Sequence, residues 1–260
     1  MLIDSHCHLN YDDFKEDFDA VLHRADLMGV KHMLSVCTTL EEAPSIQNLV
    51  NTYPQLNCSV GVHPHHAAQS MKEGHLATAL ENLLKGPKVV ALGETGLDYY
   101  YEHSPKDPQQ EAFRIHIALA KKYDLPLIVH TRDAEEDTIK LLKQEKGSIR
   151  GVIHCFTGTQ WLAEQALELG FYISISGIVT FKKADELRQI IQEIIPLDRL
   201  LIETDSPYLA PIPHRGKRNE PAFVIHVAET IAELKNVSML ELEQTISQNY
   251  FNLFGWKEAF

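Results

Sequence analysis

Six side chains of metal-binding type fall at the ends of short apolar runs in this chain: His6, His8, Glu94, His130, His154 and Asp205. His6 and His8 stand two apart on the first run, so in an extended strand they share a face. Four imidazoles and two carboxylates are too many donors for one tetrahedral ion and suit two. Two neighbouring cations can activate a water and steady a departing oxygen. An isolated H-x-H, or one histidine at a strand end, is more often a hydrogen-bonded structural residue. The weight lies in six such residues arriving at five strand ends, which core packing has no reason to produce.

Further polar groups reach for the same rim. His63 and His65, in Gly61-Val62-His63-Pro64-His65, end the third run and are placed to touch substrate. After the eighth run, His214-Arg215-Gly216-Lys217-Arg218-Asn219 offers three cations, Arg215, Lys217 and Arg218. Guanidinium groups grip phosphate bidentately, so an anionic substrate fits, although most charge runs are solvated turns. Arg132, two residues past His130, adds another positive group. Tyr99, Tyr100 and Tyr101 can stack on bases or simply pack. His23, His32, His75, His103, His116, His214 and His226 read as solvated or structural. Cys7 and Cys155 adjoin ligand histidines but alternate away from them, and read as packing residues.

The elements that must position these groups are legible as a repeat of strands and helices. Short β-rich runs start near Leu2, His32, Leu56, Val89, Leu127, Val152, Phe171 and Leu200. Their spacing averages about 28 residues, the length of a βα unit. Val89-Val90-Ala91-Leu92 and Leu200-Leu201-Ile202 are apolar throughout, as parallel strands buried on both faces should be. Between the runs the period is helical: Leu162, Ala166 and Leu169 recur at four and three, with Gly170 at the expected helix end. Two closing helices are expected, one carrying Val224, Val227, Ala228, Ile231 and Leu234, the other opened by Ser238 and Glu241 as a capping box. Eight such units predict a (β/α)8 TIM barrel, α/β in class, with residues 1–260 as one domain. An open doubly wound sheet would carry a glycine-rich turn after the first strand, where this chain has Asp4-Ser5-His6-Cys7-His8-Leu9. In a barrel every strand C-terminus meets one face, which brings the six donors around one cavity.

Composition sets the outer bounds. The chain has 260 residues, 44% hydrophobic and 23% charged, which excludes a disordered or low-complexity protein. Its net charge of −12 argues against coating nucleic acid through bulk charge, but not against a local basic loop holding one phosphate. No run approaches the about 20 apolar residues of a membrane span, and no basic-then-apolar leader opens the chain. Cys7, Cys37, Cys58 and Cys155 lie far apart without a C-x-x-C pair, as free thiols in a reducing compartment would. A cytoplasmic protein is expected, and a monomer, since no heptad or long apolar stripe demands partners.

These motifs resemble the TatD family of metal-dependent deoxyribonucleases, within the amidohydrolase-like barrels. The resemblance covers essentially the whole chain. It rests on Leu2-Ile3-Asp4-Ser5-His6-Cys7-His8-Leu9-Asn10, on Gly93-Glu94-Thr95-Gly96-Leu97-Asp98, and on Pro126 to Ala134 continuing to Glu136. It also rests on Ile195-Pro196, on Leu200 to Pro207, and on Arg215 to Pro221. It implies two divalent ions, one held by His6, His8 and Asp205 with Glu94 bridging, the other by Glu94, His130 and His154. It implies magnesium or manganese in action, with zinc or nickel also accepted by the site. It further implies a DNA substrate and 3′-5′ exonuclease action on single strands, with Asp205 and Glu94 catalytic. The residues by themselves leave the metal open, because imidazole-rich ligation favours zinc, manganese, iron or nickel. A barrel amidohydrolase or esterase, including one removing D-amino acids from tRNA, is the main alternative. Many such enzymes bridge their metals with a modified lysine on the fourth strand, where this chain has Glu94. A non-catalytic metal binder has no physical reason to keep every ligand.

Overall fold

Runs that are apolar on both faces form strands here because each strand is covered on one side by helices and on the other by its own barrel's interior. The computed structural model describes residues 1–72, 74–144 and 149–255. Its strands are β1 (Leu2–Cys7), β2 (Val30–Ser35), β3 (Leu56–Val60), β4 (Val89–Asp98), β5 (Leu127–Arg132), β6 (Gly151–Ile153), β7 (Tyr172–Ile175) and β8 (Leu200–Ile202). They pair in chain order and all in parallel. Past the strand ends β8 meets β1: the Asp205 N–H donates to His6 O at 2.9 Å and the His8 N–H to Ser206 O at 2.8 Å. The sheet therefore closes, and the expected (β/α)8 barrel is the observed fold.

Helices follow the strands in turn: α1 (Phe18–Leu27), α2 (Ala43–Thr52), α3 (Ala67–Lys72), α4 (Leu76–Leu83), α5 (Lys106–Tyr123), α6 (Glu135–Gln144), α7 (Gln160–Glu168), α8 (Asp185–Glu193) and α9 (Val224–Lys235). A final helix, α10 (Met239–Phe254), is capped by Ser238, whose hydroxyl accepts the Glu241 N–H at 3.2 Å. The interior is filled at one end by Ile3, Leu34, Val90, Ile128, Val152 and Leu201 from six different strands, and Tyr250, Leu253 and Phe254 of α10 pack against them. Each such side chain stabilises the fold by about 1.5–3 kcal/mol on burial. With its N-terminal end plugged by apolar groups, the barrel leaves its C-terminal end for polar chemistry. No helix among the described residues is long and apolar enough to cross a membrane.

Candidate metal centre

Glu94 lies at the centre of the C-terminal cavity and its two oxygens face different partners. Oε2 is 3.4 Å from His6 Nε2 and 4.0 Å from His8 Nε2, and both of those rings also face Asp205 Oδ1, at 3.7 and 3.3 Å. Oε1 is 2.8 Å from His154 Nε2, 3.1 Å from His130 Nδ1 and 3.4 Å from His63 Nε2. The other five donors expected from the sequence thus gather around the Glu94 carboxylate, and of the six all but His130 and Asp205 are buried. His6, His8 and Asp205 form one group with ligand atoms within 4.8 Å of one another, His6, Glu94 and His154 a second, and His63, Glu94 and His130 a third.

One expectation needs correction. Glu94 does not end its strand, since β4 continues to Asp98 and pairs Gly96 with His130, Leu97 with Thr131 and Asp98 with Arg132. Within this continuation Gly96 serves a close approach of β4 to β5. A side chain at Gly96 (φ 136°) would run into the His130 carbonyl oxygen. The register slips between Leu92 and Thr95, at the position of Glu94.

Two carboxylates that the sequence reading did not single out set the imidazoles. Asp98 Oδ1 accepts the backbone N–H groups of Tyr100 and Tyr101 at 3.0 and 2.9 Å. Its Oδ2 takes His65 Nε2 at 3.0 Å and His130 Nε2 at 3.1 Å. Glu203, fully buried, accepts His154 Nδ1 at 3.3 Å and the Cys155 N–H at 2.8 Å through one oxygen. Both residues stand inside the quoted motifs, and their signal was an acid two to four residues from a ligand position.

The electrostatics follow from burying one carboxylate among rings. Burial opposes the charge of Glu94, but His154, His63 and His130 outweigh it and hold its carboxyl well below the usual range. Burial likewise pulls His154 and His130 down, and is outweighed by Glu94 with Glu203 for the first and by Asp98 with Glu94 for the second, so both are raised. His6, mainly through burial and then through the charge of His154, is lowered. Asp205 is lowered because His8 and His6 outweigh its burial. The arrangement fits divalent cations: the outer nitrogens of His130 and His154 are held by carboxylates, Asp98 and Glu203, and their inner nitrogens converge on Glu94 Oε1, while the Nε2 atoms of His6 and His8 face Glu94 Oε2 and Asp205. Protons on those inner nitrogens are what a bound ion would displace.

The other expected contacts divide. Arg132 lies over the rings of Tyr100 and Tyr101, at 4.2 and 4.7 Å, and both tyrosines are exposed at the rim. Tyr99 instead packs inward and donates to Asp137 at 2.8 Å. Arg215 is exposed and stacks over Phe181 at 3.8 Å, and Lys217 is exposed. Arg218 is held by Asp17, at 2.8 and 2.9 Å, and by the Asp13 carbonyl. Arg24 ties the same Asp17 to Glu220, so Arg218 anchors the basic loop to the start of α1 rather than standing free for phosphate. The sequence places Asp17 and Arg218 about 200 residues apart, and only folding joins them. Tyr11, stacked on His8 at 4.9 Å, and the exposed Tyr208 flank the cavity and carried no sequence signal. Cys7 is buried as expected, whereas Cys155 is half-buried against Ser176.

His116 is structural, as expected for a histidine inside α5. It donates from Nδ1 to Ala112 O at 2.7 Å and accepts the Val62 N–H at Nε2 at 3.1 Å. Burial pushes it down to about 4 from 6.5, so the folded state favours the neutral ring. Its contribution is full above pH 6.5 and is lost as pH falls toward 4, by about 3 kcal/mol. Urea midpoints measured from pH 7 to 4.5 should fall more steeply for the wild type than for His116→Met. Parallel curves would show that this ring does not couple folding to protons.

Comparison with known proteins finds relatives over nearly the whole chain. The model of the family described as "TatD related DNase" matches residues 3–255. A protein of Escherichia coli (strain K12) named "Uncharacterized metal-dependent hydrolase YcfH" is 48% identical over 257 residues, 97% of this chain and 95% of that protein. An Erwinia tasmaniensis protein named "3'-5' ssDNA/RNA exonuclease TatD" is 36% identical across 98% of this chain and 100% of its own. The crystal structure of YJJV, a TatD homologue from Escherichia coli K12, superposes with a TM-score of 0.90 at 31% identity, covering 98% of each chain. On its matched length, its barrel and its relatives, the chain belongs to the TatD family.

Proposed function

We propose that this TatD-family metal-dependent hydrolase cleaves phosphodiester bonds in DNA, removing nucleotides from the 3′ ends of single strands. The observation that carries the reading is the division of Glu94, with one oxygen toward His6 and His8 and the other toward His130 and His154. Cations held there, by His6, His8, Asp205 and Glu94 and by Glu94, His130 and His154, would supply an activated water and neutralise phosphate charge. Asp205, beside both first-strand histidines, orients that water and accepts its proton. Arg215 and Lys217 meet the phosphates from the loop after β8, with Arg218 bracing that loop. Arg132 and the tyrosines under it supply a cationic, aromatic edge suited to an unpaired nucleotide. The name of the 36% identical relative supports the polarity.

The test uses metal-stripped protein with 3′-labelled and 5′-labelled single-stranded DNA, adding magnesium, manganese or zinc back separately. Shortening should require metal, start at the 3′ end, and disappear in Asp205→Asn. If no ion restores cleavage, the phosphodiester reading falls and amide, lactone and aminoacyl-ester substrates take its place.

A further inference from the structure

Three rings surround Glu94 Oε1, and by distance alone His63 belongs with His130 and His154 as a ligand. Their outer nitrogens separate them. His130 Nε2 faces the Asp98 carboxylate and His154 Nδ1 faces Glu203. A carboxylate only accepts, so each of these rings can keep its outer proton and give up the inner one, leaving a lone pair for an ion. His63 is reversed: its outer nitrogen, Nδ1, accepts the backbone N–H of His65 at 3.1 Å. A ring accepting at Nδ1 has no proton there, so its single proton is on Nε2, the atom that faces the cavity.

We infer that His63 is not a ligand of the metal pair but a fixed hydrogen-bond donor, presenting its Nε2–H to a substrate oxygen bound beside Glu94. Local sequence builds this. Pro64 opens a short turn over Pro64–His66, and His63, extended at φ −61° and ψ 146°, caps it with its own ring. Val62 is tied to His116, and the His63 ring is wedged edge-on between His65 and His130 at 4.3 and 4.6 Å, with 12% of its side chain exposed. The donor sits 3.4 Å from Glu94 Oε1, long for a strong hydrogen bond, and so is available to a closer acceptor. A neutral imidazole keeps its proton. It stabilises charge growing on the substrate oxygen without transferring anything.

The inference rests on the metal-centre reading, but not on the phosphodiester one. Zinc-loaded protein labelled with 15N at histidine should give, for His63, a protonated Nε2 and a bare Nδ1 in long-range proton–nitrogen spectra. His63→Ala and His63→Gln should bind the wild-type complement of zinc and manganese. With bis(4-nitrophenyl) phosphate, kcat should fall about 100-fold in His63→Ala and largely return in His63→Gln, whose amide N–H reaches the same place. The opposite tautomer, loss of an ion in His63→Ala, or a His63→Gln no better than alanine would each overturn the inference. A wild type inert toward this ester would instead count against the phosphodiester reading, and the tautomer and metal content would still decide for or against His63. A wild type that binds no divalent ion would sink the metal-centre reading and the inference together.

Discussion

Glu94→Ala should fold, bind at most one divalent ion, and hydrolyse its substrate on the order of 1,000-fold or more slowly. The effect is large because one side chain serves both halves of the site: Oε2 toward His6 and His8, Oε1 toward His130 and His154. The fold survives because removing this carboxylate leaves no uncompensated buried charge. Glu94 is among the groups that raise His130 and His154, so without it both rings relax toward the neutral form. Metal analysis and thermal unfolding check both halves. At an ion concentration 100 times its Kd, each site of the wild type should gain about 2.7 kcal/mol, and the variant should lose most of that response while its melting in chelator stays close to wild type. Full turnover by Glu94→Ala with two ions bound would remove this carboxylate from the site.

How much of this was legible depends on what each residue type costs where it stands. The starts of β1, β3, β4, β5 and β8 fall at Leu2, Leu56, Val89, Leu127 and Leu200 as read, because doubly buried parallel strands leave little room for anything but apolar residues. Those of β2, β6 and β7 fall within two residues of the reading, at Val30, Gly151 and Tyr172. A histidine or carboxylate ending such a run is out of place unless it has work to do, and so the six donors were visible. Asp98 and Glu203 were not, since an acid near a ligand looks the same whether it is solvated or, as here, bonded to a ring. Arg218 looked like its neighbours Arg215 and Lys217, and its pairing with Asp17 exists only after the barrel closes. The division of the rings into ligands and donor was least legible of all. It depends on whether a carboxylate or a backbone N–H meets the outer nitrogen, and residue type does not encode that.

The largest stability effect is expected at a residue without a side chain. Gly96→Ala should destabilise the fold by about 4 kcal/mol or more, a large part of the 5–15 kcal/mol that holds an ordinary domain together. Two costs combine. Gly96 has φ 136°, where L-residues are strained, and an added Cβ would strike the backbone carbonyl of His130 on β5. Backbone cannot rotate aside as a flexible side chain can, so relief requires parting β4 from β5. Those strands place Glu94, Asp98 and His130, so any folded fraction should also hold its second ion more weakly. Gly170→Ala separates the two costs. That glycine follows α7 with φ 80° and nothing within 4 Å of an added Cβ, so it carries the conformational cost alone, about 1–2 kcal/mol. Urea unfolding of both variants in chelator, beside manganese titration of each, reads the difference. Equal losses would mean that the two strands yield at little cost, and that the contact between Gly96 and His130 does not fix the geometry of the site.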